Sequence, residues 1–539
     1  MSGRNMQHLF SQVPIIKTSR SAFNRSHGVK TTFDAGKLVP VLVDEVLPGD
    51  TFKLNATFFA RVATLISPIM DNVYLESFFF YVPERLVYDK FVNMCGEQED
   101  PDDPTDFLFP MYDFPSDVMT EGTLMDYMGL PIKVKNRVRL EPFRAYWLIW
   151  NEWFRDENLQ DSMKIERGEA GFISKDHNDT EYYKLAPRGK RHDYFTSALP
   201  WPQKGPAVDL PFGGTADIVL DSANIGLPTF NLYNSKSKTN ISGFVGQGSG
   251  YINVGSDDLG RGFSVNGQST SNIPVSSISG FNVDLTSATS VTINQFREAF
   301  QIQRWYERLA RGGSRYVELV MSFYGVRIPD ARLQRPEYLG GSSSRLDIST
   351  VPQTSASGNV TPQGNLAAFG TIAQKHHGFV KSFTEHGWII GLVNVRADLT
   401  YQQGTNRMWY RETKFDMYWP TFAHLGEQVV YNKEIYTQGT VDDGKAFGYQ
   451  ERYAEYRYFP SMVTGKFRST FDQPLDSWHL AQKFDSLPAL SGEFIQDNPP
   501  MDRVIATQDE PQFLLDCWFD MKCVRPMPVY SVPGLVDHF

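Results

Sequence analysis

The sequence predicts a mainly β fold of the sandwich or barrel type, and three observations support this. Two consecutive segments near the N-terminus alternate between apolar and polar side chains. The chain of 539 residues contains 39 Phe, 25 Tyr and 10 Trp, and aromatic residues favour strands and dominate the energetics of interfaces. Its 42 Gly and 32 Pro are spread along the whole length, which predicts many turns and long loops. A chain of this size can bury a large core without disulfide or metal staples.

The alternating segments follow a clear turn signal at Pro48, Gly49 and Asp50. Residues 51–62 (TFKLNATFFARV) then place an apolar residue at every second position, which predicts a strand with one buried and one polar face. Residues 73–82 predict a second strand that is denser in aromatic residues. Further strands are predicted within residues 378–400 and over residues 513–524.

Two segments predict helices instead. Pro142 suits a first helical turn, and the residues after it carry a heavy stripe that includes Phe143, Trp150 and Phe154. This stripe is typical of core packing rather than of a ligand site. The second helix begins at residue 294 and ends at Gly312 and Gly313, because glycine accepts the left-handed backbone of a helix C-cap. Its predicted apolar face is formed by Phe296, Ala299 or Phe300, Gln303, Tyr306 and Leu309 or Ala310. The Val- and aromatic-rich residues 316–323 after it predict a short strand.

Residues 294–341 are rich in arginine, including Arg304, Arg308 and Arg311. Clustered arginine is typical of phosphate binding. Because glutamates such as Glu298 and Glu307 are interleaved with it, a solvated or subunit-facing helix surface is the preferred interpretation.

Residues 1–50 predict an extended basic N-terminal arm. Its first 33 residues contain no acidic side chain and no periodicity, so something other than the arm's own fold must hold it. Basic residues with interleaved aromatics suit single-stranded nucleic acid, and packing on a neighbouring subunit is an equal alternative. The basic residues are Arg4, Lys17, Arg20, Arg25 and Lys30.

Residues 205–293 predict a separate lobe inserted into the main fold. Gly, Ser, Asn, Thr and Val dominate there and charges are sparse. A structureless insert of that length is improbable inside a compact domain. Its glycine-rich residues 246–250 lack the GK[ST] ending of a phosphate-binding loop and are interpreted as a turn.

Several functional classes are disfavoured. The net charge of −10 excludes a chain that is basic throughout, and no catalytic or nucleotide-binding motif is present. The cysteines Cys95, Cys517 and Cys523 fit no zinc or redox spacing. His192 and Asp193 have no nucleophile motif beside them and are interpreted as part of a structural corner. No catalytic residue, cofactor, metal site or membrane span is therefore predicted.

Several segments, taken together and in order, resemble the major capsid proteins of the gokushoviruses, small single-stranded-DNA phages of the Microviridae. The similar segments are residues 21–36 (SAFNRSHGVKTTFDAG), 44–52 (DEVLPGDTF), 142–160 (PFRAYWLIWNEWFRDENLQ), 188–205 (RGKRHDYFTSALPWPQKG), 311–341, 361–370 (TPQGNLAAFG) and 525–539.

The resemblance implies a viral eight-stranded antiparallel jelly roll with long loop insertions and a few helices. The barrel would comprise residues 51–204, with a helical insert at 141–156, and residues 294–525, followed by an extended tail at 526–539. Copies would form a T=1 icosahedral shell around a circular single-stranded DNA genome. The protein would be assembled in the host bacterial cytoplasm and would reside in the virion. Implied partners are internal scaffolding, pilot and small basic DNA-binding phage proteins.

The resemblance also suggests roles for the candidate residues. The inserted lobe would form the three-fold protrusion and recognise a host surface receptor, with Asn240, Tyr251, Asp257 and Asp258 as candidate contacts. Arg304, Arg308 and Arg311 would face neighbouring subunits, and the basic arm would meet the genome. A jelly-roll carbohydrate-binding module or glycan-active enzyme is the alternative. A sequence-specific DNA-binding protein is disfavoured because no groove-reading motif is present.

Overall fold

The computed structural model describes residues 19–169, 182–208, 293–312, 315–325, 334–355 and 363–530, together with eight short strands between residues 218 and 283. The chain divides into two compact units. The smaller unit is Gly205–Arg308, and the larger combines Met1–Lys204 with Leu309–Phe539.

The described elements are numbered here in chain order. The strands before the smaller unit are β1 Ser21–Asn24, β2 His27–Phe33, β3 Val39–Val46, β4 Thr51–Val62, β5 Val73–Pro83, β6 Met111–Phe114 and β7 Asn136–Arg139. The strands of the smaller unit are β8 Ile218–Leu220, β9 Thr229–Asn234, β10 Thr239–Phe244, β11 Ile252–Asn253, β12 Phe263–Val265, β13 Gln268–Thr270, β14 Val275–Ser279 and β15 Phe281–Val283. The later strands are β16 Glu337–Arg345, β17 Asp347–Pro352, β18 Leu366–Ser382, β19 Gly387–Ala397, β20 Thr400–Tyr401, β21 Glu427–Tyr431, β22 Ala446–Glu451, β23 Ser461–Met462 and β24 Phe513–Arg525. The α-helices are α1 Phe91–Met94, α2 Leu124–Tyr127, α3 Glu141–Ile149, α4 Ile293–Arg311, α5 Tyr316–Tyr324, α6 Asn432–Ile435 and α7 Gly492–Ile495.

Two large antiparallel sheets form the centre of the larger unit, which also contains the two-stranded sheets β6-β7, β20-β23 and β21-β22. The six-stranded sheet has the order β1-β24-β4-β18-β17, with β2 also paired to β24, and the four-stranded sheet has the order β16-β5-β19-β3. The strands predicted over residues 51–62, 73–82 and 513–524 are confirmed as β4, β5 and β24. The predicted fold class, a mainly β antiparallel jelly roll with few helices, is confirmed.

The core lies between the two sheets and contains the alternating apolar residues that the sequence singled out. Phe52 and Phe58 of β4 are fully buried, and the Phe58 ring meets the edge of Phe519 from β24 at a centroid distance of 5.9 Å. Each such side chain contributes roughly 1.5–3 kcal/mol by leaving water. Gly378 of β18 approaches β4 so closely that a Cβ there would lie 1.9 Å from the Leu54 carbonyl oxygen. Only glycine therefore fits at this position.

The outer face of the four-stranded sheet is covered by α3, which continues into a π-helical turn at Trp150–Phe154. The predicted helix at residues 141–156 is thus confirmed over residues 141–154, and its aromatic stripe is part of a second apolar core. The polar groups of its aromatic rings donate hydrogen bonds to backbone carbonyls. The Tyr146 hydroxyl donates to the Leu38 carbonyl at 2.7 Å, and the Trp150 indole N–H donates to the Pro187 carbonyl at 3.0 Å. These bonds satisfy the polar atoms of otherwise buried rings.

The prediction that residues 1–50 form an extended arm is wrong for much of its length. Strands β1 and β2 pair with β24, and β3 pairs with β19, so residues 21–46 belong to the two sheets. The physical reason is that β24 and β19 would otherwise expose unpaired backbone groups along their edges. Residues 1–18 at the start of the arm and residues 531–539 of the predicted tail lie outside the described residues.

The strand predicted over residues 316–323 is also wrong, because this segment forms α5. Local signals at both ends favour the helix: the Glu318 carboxylate accepts a hydrogen bond from the Arg315 backbone N–H at 3.2 Å, and Gly325 adopts φ 69° at the C-cap. Capping at both ends outweighs the β preference of Val and aromatic residues.

Candidate functional site

Many exposed aromatic and apolar side chains lie in the segment between β20 and β24. We call them the aromatic patch. Its members are Met408, Trp409, Phe415, Met417, Tyr418, Trp419, Leu425, Tyr456, Tyr458, Phe459, Met462 and Phe471. Each is about half exposed or more, and Trp409 reaches 75%. Large exposed apolar surfaces are rare on monomeric proteins and mark interaction sites.

The loops that carry the aromatic patch contain little regular structure, and buried ion pairs hold them in place. Arg407 lies 3.2 Å from the Glu434 carboxylate and 3.9 Å from that of Glu455, and Arg411 lies 3.4 Å from Glu455. Both glutamates are almost fully buried, and the Tyr194 hydroxyl donates to Glu434 at 2.9 Å. Burial and the nearby Glu434 raise the pKa of the Tyr194 hydroxyl above its usual range, so it remains a donor. Removing one partner would leave an uncompensated buried charge.

Contacts among the aromatic residues fix the patch further. The Arg411 guanidinium lies 4.2 Å from the centre of the Tyr456 ring, and the Tyr418 backbone N–H donates to the Tyr456 hydroxyl at 3.3 Å. Phe415 and Phe422 meet edge to face at 6.0 Å. The rings of Phe415 and Tyr456 and the backbone of Tyr418 are therefore held before any partner arrives, which lowers the entropy cost of forming an interface.

The residues predicted to contact nucleic acid differ from one another in whether their own chain already binds them. Arg20 donates to the Gly49 carbonyl at 2.5 Å and to the Thr51 hydroxyl at 3.0 Å. Arg25 pairs with the mostly buried Asp44 at 2.6 Å. Both arginines are therefore engaged by their own chain, whereas Lys30 is exposed on β2. Arg4 and Lys17 lie outside the described residues.

The candidate interface arginines lie at the C-terminal end of α4. Arg304 and Arg308 are exposed, whereas Arg311 pairs with Glu427 and lies 3.5 Å from Glu451. Two aromatic residues of the predicted apolar face are also exposed: Phe296 and Phe300 lie with their ring centres 4.7 Å apart. The helix therefore presents apolar as well as basic surface.

Only one of the candidate receptor contacts lies in the described part of the chain. Asn240 is in β10, where its backbone is opposite Tyr233 of β9. Tyr251, Asp257 and Asp258 lie outside the described residues.

The basic segment that includes His192 is a structural corner, as predicted. Asp193 accepts hydrogen bonds from the Phe195 and Thr196 backbone N–H groups at 3.0 and 2.8 Å and from the Tyr401 hydroxyl at 2.6 Å. The His192 side chain is exposed and is not part of this turn.

A buried charge network lies beside that corner. The Glu76 carboxylate of β5 forms ion pairs with Arg396 of β19 at 2.8 Å and with Arg191 at 3.3 Å. Burial lowers the pKa of Arg188 to about 10 and raises the pKa of Asp497 to about 7, because the charged forms lose hydration there. The network ties the corner to both strands and has a structural role.

Two features of the described residues bear on other functions. No group of three or more His, Cys, Asp or Glu side chains in this part of the chain is arranged to hold a metal ion. Among the helices that the structure describes, none combines the length and apolar character needed to cross a bilayer.

Known proteins similar to this chain are viral capsid proteins. The family described as "Capsid protein (F protein)" matches residues 11–535. The chain is 45% identical to "Capsid protein VP1" of Chlamydia phage 1, over 98% of each chain. It is 44% identical to the protein of that name from Bdellovibrio phage phiMH2K, over the full length of both, and 37% identical to that of Spiroplasma virus 4, over 98% of this chain and 97% of the relative.

These matches run through both sheets and the loops between them, so they concern the whole fold. The chain is a structural component of a phage virion rather than an enzyme, and the carbohydrate-active alternative is set aside. Shell proteins of this kind form oligomers, which accords with the aromatic patch. The chain belongs to the capsid protein (F protein) family, and within it to the major capsid proteins of the gokushoviruses of the Microviridae.

Proposed function

We propose that copies of this chain assemble into a closed T=1 icosahedral shell that encloses a circular single-stranded DNA genome. The observation that carries the proposal is the aromatic patch, because large exposed apolar side chains of this kind mark interaction sites. In a T=1 shell every copy has the same surroundings, so one patch and one complementary surface serve all of them. Arg304 and Arg308, exposed on α4, would add contacts around the three-fold axis, where ion pairs set orientation more than affinity.

The genome requires cations that this chain does not supply in bulk, because its net charge is −10. Small basic DNA-binding phage proteins would neutralise the remaining phosphates, and internal scaffolding and pilot proteins would be further partners. Of the basic residues proposed to contact DNA, Arg4, Lys17 and Lys30 remain the better candidates. Arg20 and Arg25 have partners in their own chain, which makes them less available to phosphate.

Particles purified from infected host cells test this proposal. We expect electron microscopy to show uniform icosahedral shells of T=1 size, and we expect the DNA released from them to be digested by a nuclease specific for single strands. Double-stranded DNA in the particles, or shells of another symmetry, would contradict the proposal. So would a purified chain that stays monomeric in the presence of its phage partner proteins and retains a polysaccharide.

We further propose that residues 205–293 project at the three-fold axes and recognise a receptor on the host surface, with Asn240, Tyr251, Asp257 and Asp258 among the contacts. Within the smaller unit, Gly205 and Tyr306 lie so close that a Cβ on the glycine would be 2.5 Å from the tyrosine ring. The start of the segment therefore lies beside the α4 helix that follows it, which suits an insert with neighbouring ends.

Replacing residues 205–291 with a Gly/Ser linker is expected to leave particle assembly largely intact and to abolish adsorption to host cells. Because α4 rises about 1.5 Å per residue, the linker must span about 20 Å from the region of Tyr306 back to Ile293. About ten residues provide this length with slack. Particle yield and adsorption are measured separately, with a linker of the same length inserted after Glu99, in an exposed loop, as the control. Loss of assembly would mean that the lobe holds subunits together.

A further inference from the structure

The six-stranded sheet has a face turned away from the core, and this face is unusual for its exposed rings. Trp518 of β24 is 53% exposed and Phe59 of β4 is 40% exposed. The four-stranded sheet, in contrast, has α3 packed over its outer face. The two sheets of one barrel therefore differ in what they present to their surroundings.

The two rings are arranged as neighbours. Trp518 is opposite Thr57 in the β24–β4 register, and Phe59 lies two residues further along β4. Diagonal neighbours of this kind are about 7–8 Å apart. Trp518 also lies over β2, where its Cε3 atom is 3.4 Å from the place that a Cβ of Gly28 would occupy. Because glycine has no side chain, the indole can lie against the sheet at this position.

Basic residues surround the rings, and two of them oppose each other. Lys53 of β4 is directly opposite Lys522 of β24 on the same exposed face. Like charges at opposite positions destabilise a sheet, and no ion pair involves either lysine in the part of the chain that the structure describes. A bound anion would relieve this repulsion.

With Lys53 and Lys522 included, the face carries five exposed basic residues and three exposed acidic ones. Its other exposed basic residues are Lys30, Arg61 and Lys375, and its exposed acidic residues are Asp347, Asp516 and Asp520. Asp520 also accepts a hydrogen bond from the Ser26 hydroxyl at 3.3 Å. A local excess of basic residues in a chain with a net charge of −10 is a specific feature of this face.

We propose that this face binds single-stranded nucleic acid, with bases stacked on Trp518 and Phe59 and phosphates placed at Lys53 and Lys522. The inference rests on the proposed function, in which the shell encloses a single-stranded genome. Aromatic rings on a sheet with basic residues beside them are the combination that single strands require, because every base offers a flat face and every link a negative charge.

The direction of the bound strand follows from the acidic residues nearby. A groove of about 950 Å³ beside β2 is lined by Asp34, Glu121 and Asp126 as well as by Lys30 and Arg61. These carboxylates would repel phosphates, so the strand leaves the rings toward Lys53 and Lys522. The same groove would suit a basic segment of a second copy of the chain, and the experiments below distinguish that occupant.

The first experiment measures binding of fluorescent oligothymidylate to the purified full-length chain at several salt concentrations. Trp518→Ala is expected to weaken binding about 5- to 150-fold, because it removes one stacking platform, and Trp518→Phe is expected to restore most of it. The double variant Lys53→Gln and Lys522→Gln is expected to lower the slope of log K against log salt by about 1.4, since each phosphate contact contributes roughly 0.7 on single strands.

The matched control is the double variant Lys445→Gln and Lys483→Gln. These lysines are also exposed, and each lies beside an aspartate, Asp442 at 2.6 Å and Asp485 at 3.6 Å. We expect the control to bind as the unmodified chain does. An unchanged affinity and salt slope in the Lys53/Lys522 variant, with the fold intact by circular dichroism, would overturn the proposal.

The second experiment irradiates intact particles with ultraviolet light and maps the peptides joined to DNA. A crosslink within residues 513–525 supports the proposal. Crosslinks confined to residues 1–18 would overturn this face as the binding surface. They would still agree with the proposed function, because they would show that the shell encloses DNA. Particles without single-stranded DNA would contradict the proposed function itself. Loss of assembly in the lysine variant at unchanged DNA affinity would assign the face to a second copy and would also overturn the proposal.

Discussion

Replacing Trp409 and Phe459 with serine is expected to abolish particle formation while the chain remains folded. The two side chains are 75% and 61% exposed, so their removal exposes no core of the isolated chain. Buried aromatic anchors at an interface typically contribute about 2–4 kcal/mol each. A closed shell repeats the contact in every copy, so even the lower value disfavours assembly strongly.

Sedimentation and electron microscopy measure assembly, and thermal unfolding of the free chain checks the fold. Leu108→Ser is the matched control, because Leu108 is 79% exposed but belongs to a loop outside the aromatic patch. It is expected to assemble normally. If the double variant forms normal particles, the aromatic patch faces solvent in the shell and the interface lies elsewhere. If the double variant unfolds at a much lower temperature, the rings have a role within the chain.

The strands were predictable from sequence because the core imposes their period. Residues such as Phe52 and Phe58 face the space between two sheets, and each polar residue between them faces outward, so alternation along β4 is a direct record of burial. The pairing was not predictable. β4 lies between β24 and β18, and no local pattern specifies partners that are hundreds of residues away in the chain.

The aromatic patch escaped prediction for a related reason. Its segment has no periodicity, and its conformation depends on buried pairs between residues far apart, such as Arg407 with Glu434 and Glu455. A sequence shows that Trp409 is aromatic but not that it is exposed. Aromatic enrichment predicts interfaces, and the structure shows which of the aromatic side chains are exposed.

Charged residues were the least predictable part of the candidate sites. Arg25 and Arg311 were singled out because basic residues surround them in sequence, but Asp44 and Glu427 meet them in the folded chain. Conversely, the lysine pair on the six-stranded sheet cannot be predicted from the sequence, because Lys53 and Lys522 become neighbours only when β4 pairs with β24. A run of basic residues in the sequence therefore does not show which of them have acidic partners in the folded chain.

A second large effect is expected for Arg139, which holds three carboxylates at the edge of the four-stranded sheet. Its guanidinium lies 2.5 Å from Glu84, 3.0 Å from Glu141 and 3.1 Å from Glu45. Glu84 and Glu141 are almost fully buried. Glu141 opens α3 and Glu84 follows β5, so Arg139 joins the covering helix to the sheet beneath it.

Burial and, to a smaller extent, the neighbouring Glu141 raise the pKa of Glu84, Arg139 lowers it, and the net result is a pKa of about 8. The folded chain therefore binds a proton at Glu84 that the unfolded chain releases near pH 4.5. Because the folded state holds more protons between these values, the free energy of unfolding falls as pH rises from about 4.5 through 8.

Arg139→Ala is expected to lower the free energy of unfolding by about 3–5 kcal/mol at pH 9, because it leaves buried carboxylates without their cation. The loss is expected to be smaller at pH 6, where Glu84 carries a proton. Chemical unfolding of the full-length chain at the two pH values measures both effects. The double variant Arg139→Ala and Glu84→Gln should recover part of the stability at pH 9 and lose most of the pH dependence, since glutamine cannot ionise. The contradicting outcome is that Arg139→Ala destabilises the chain equally at pH 6 and pH 9, whether residue 84 is Glu or Gln. Arg139 would then act through its packing on the Phe109 ring, whose centre lies 3.8 Å from the guanidinium, and not through its charge.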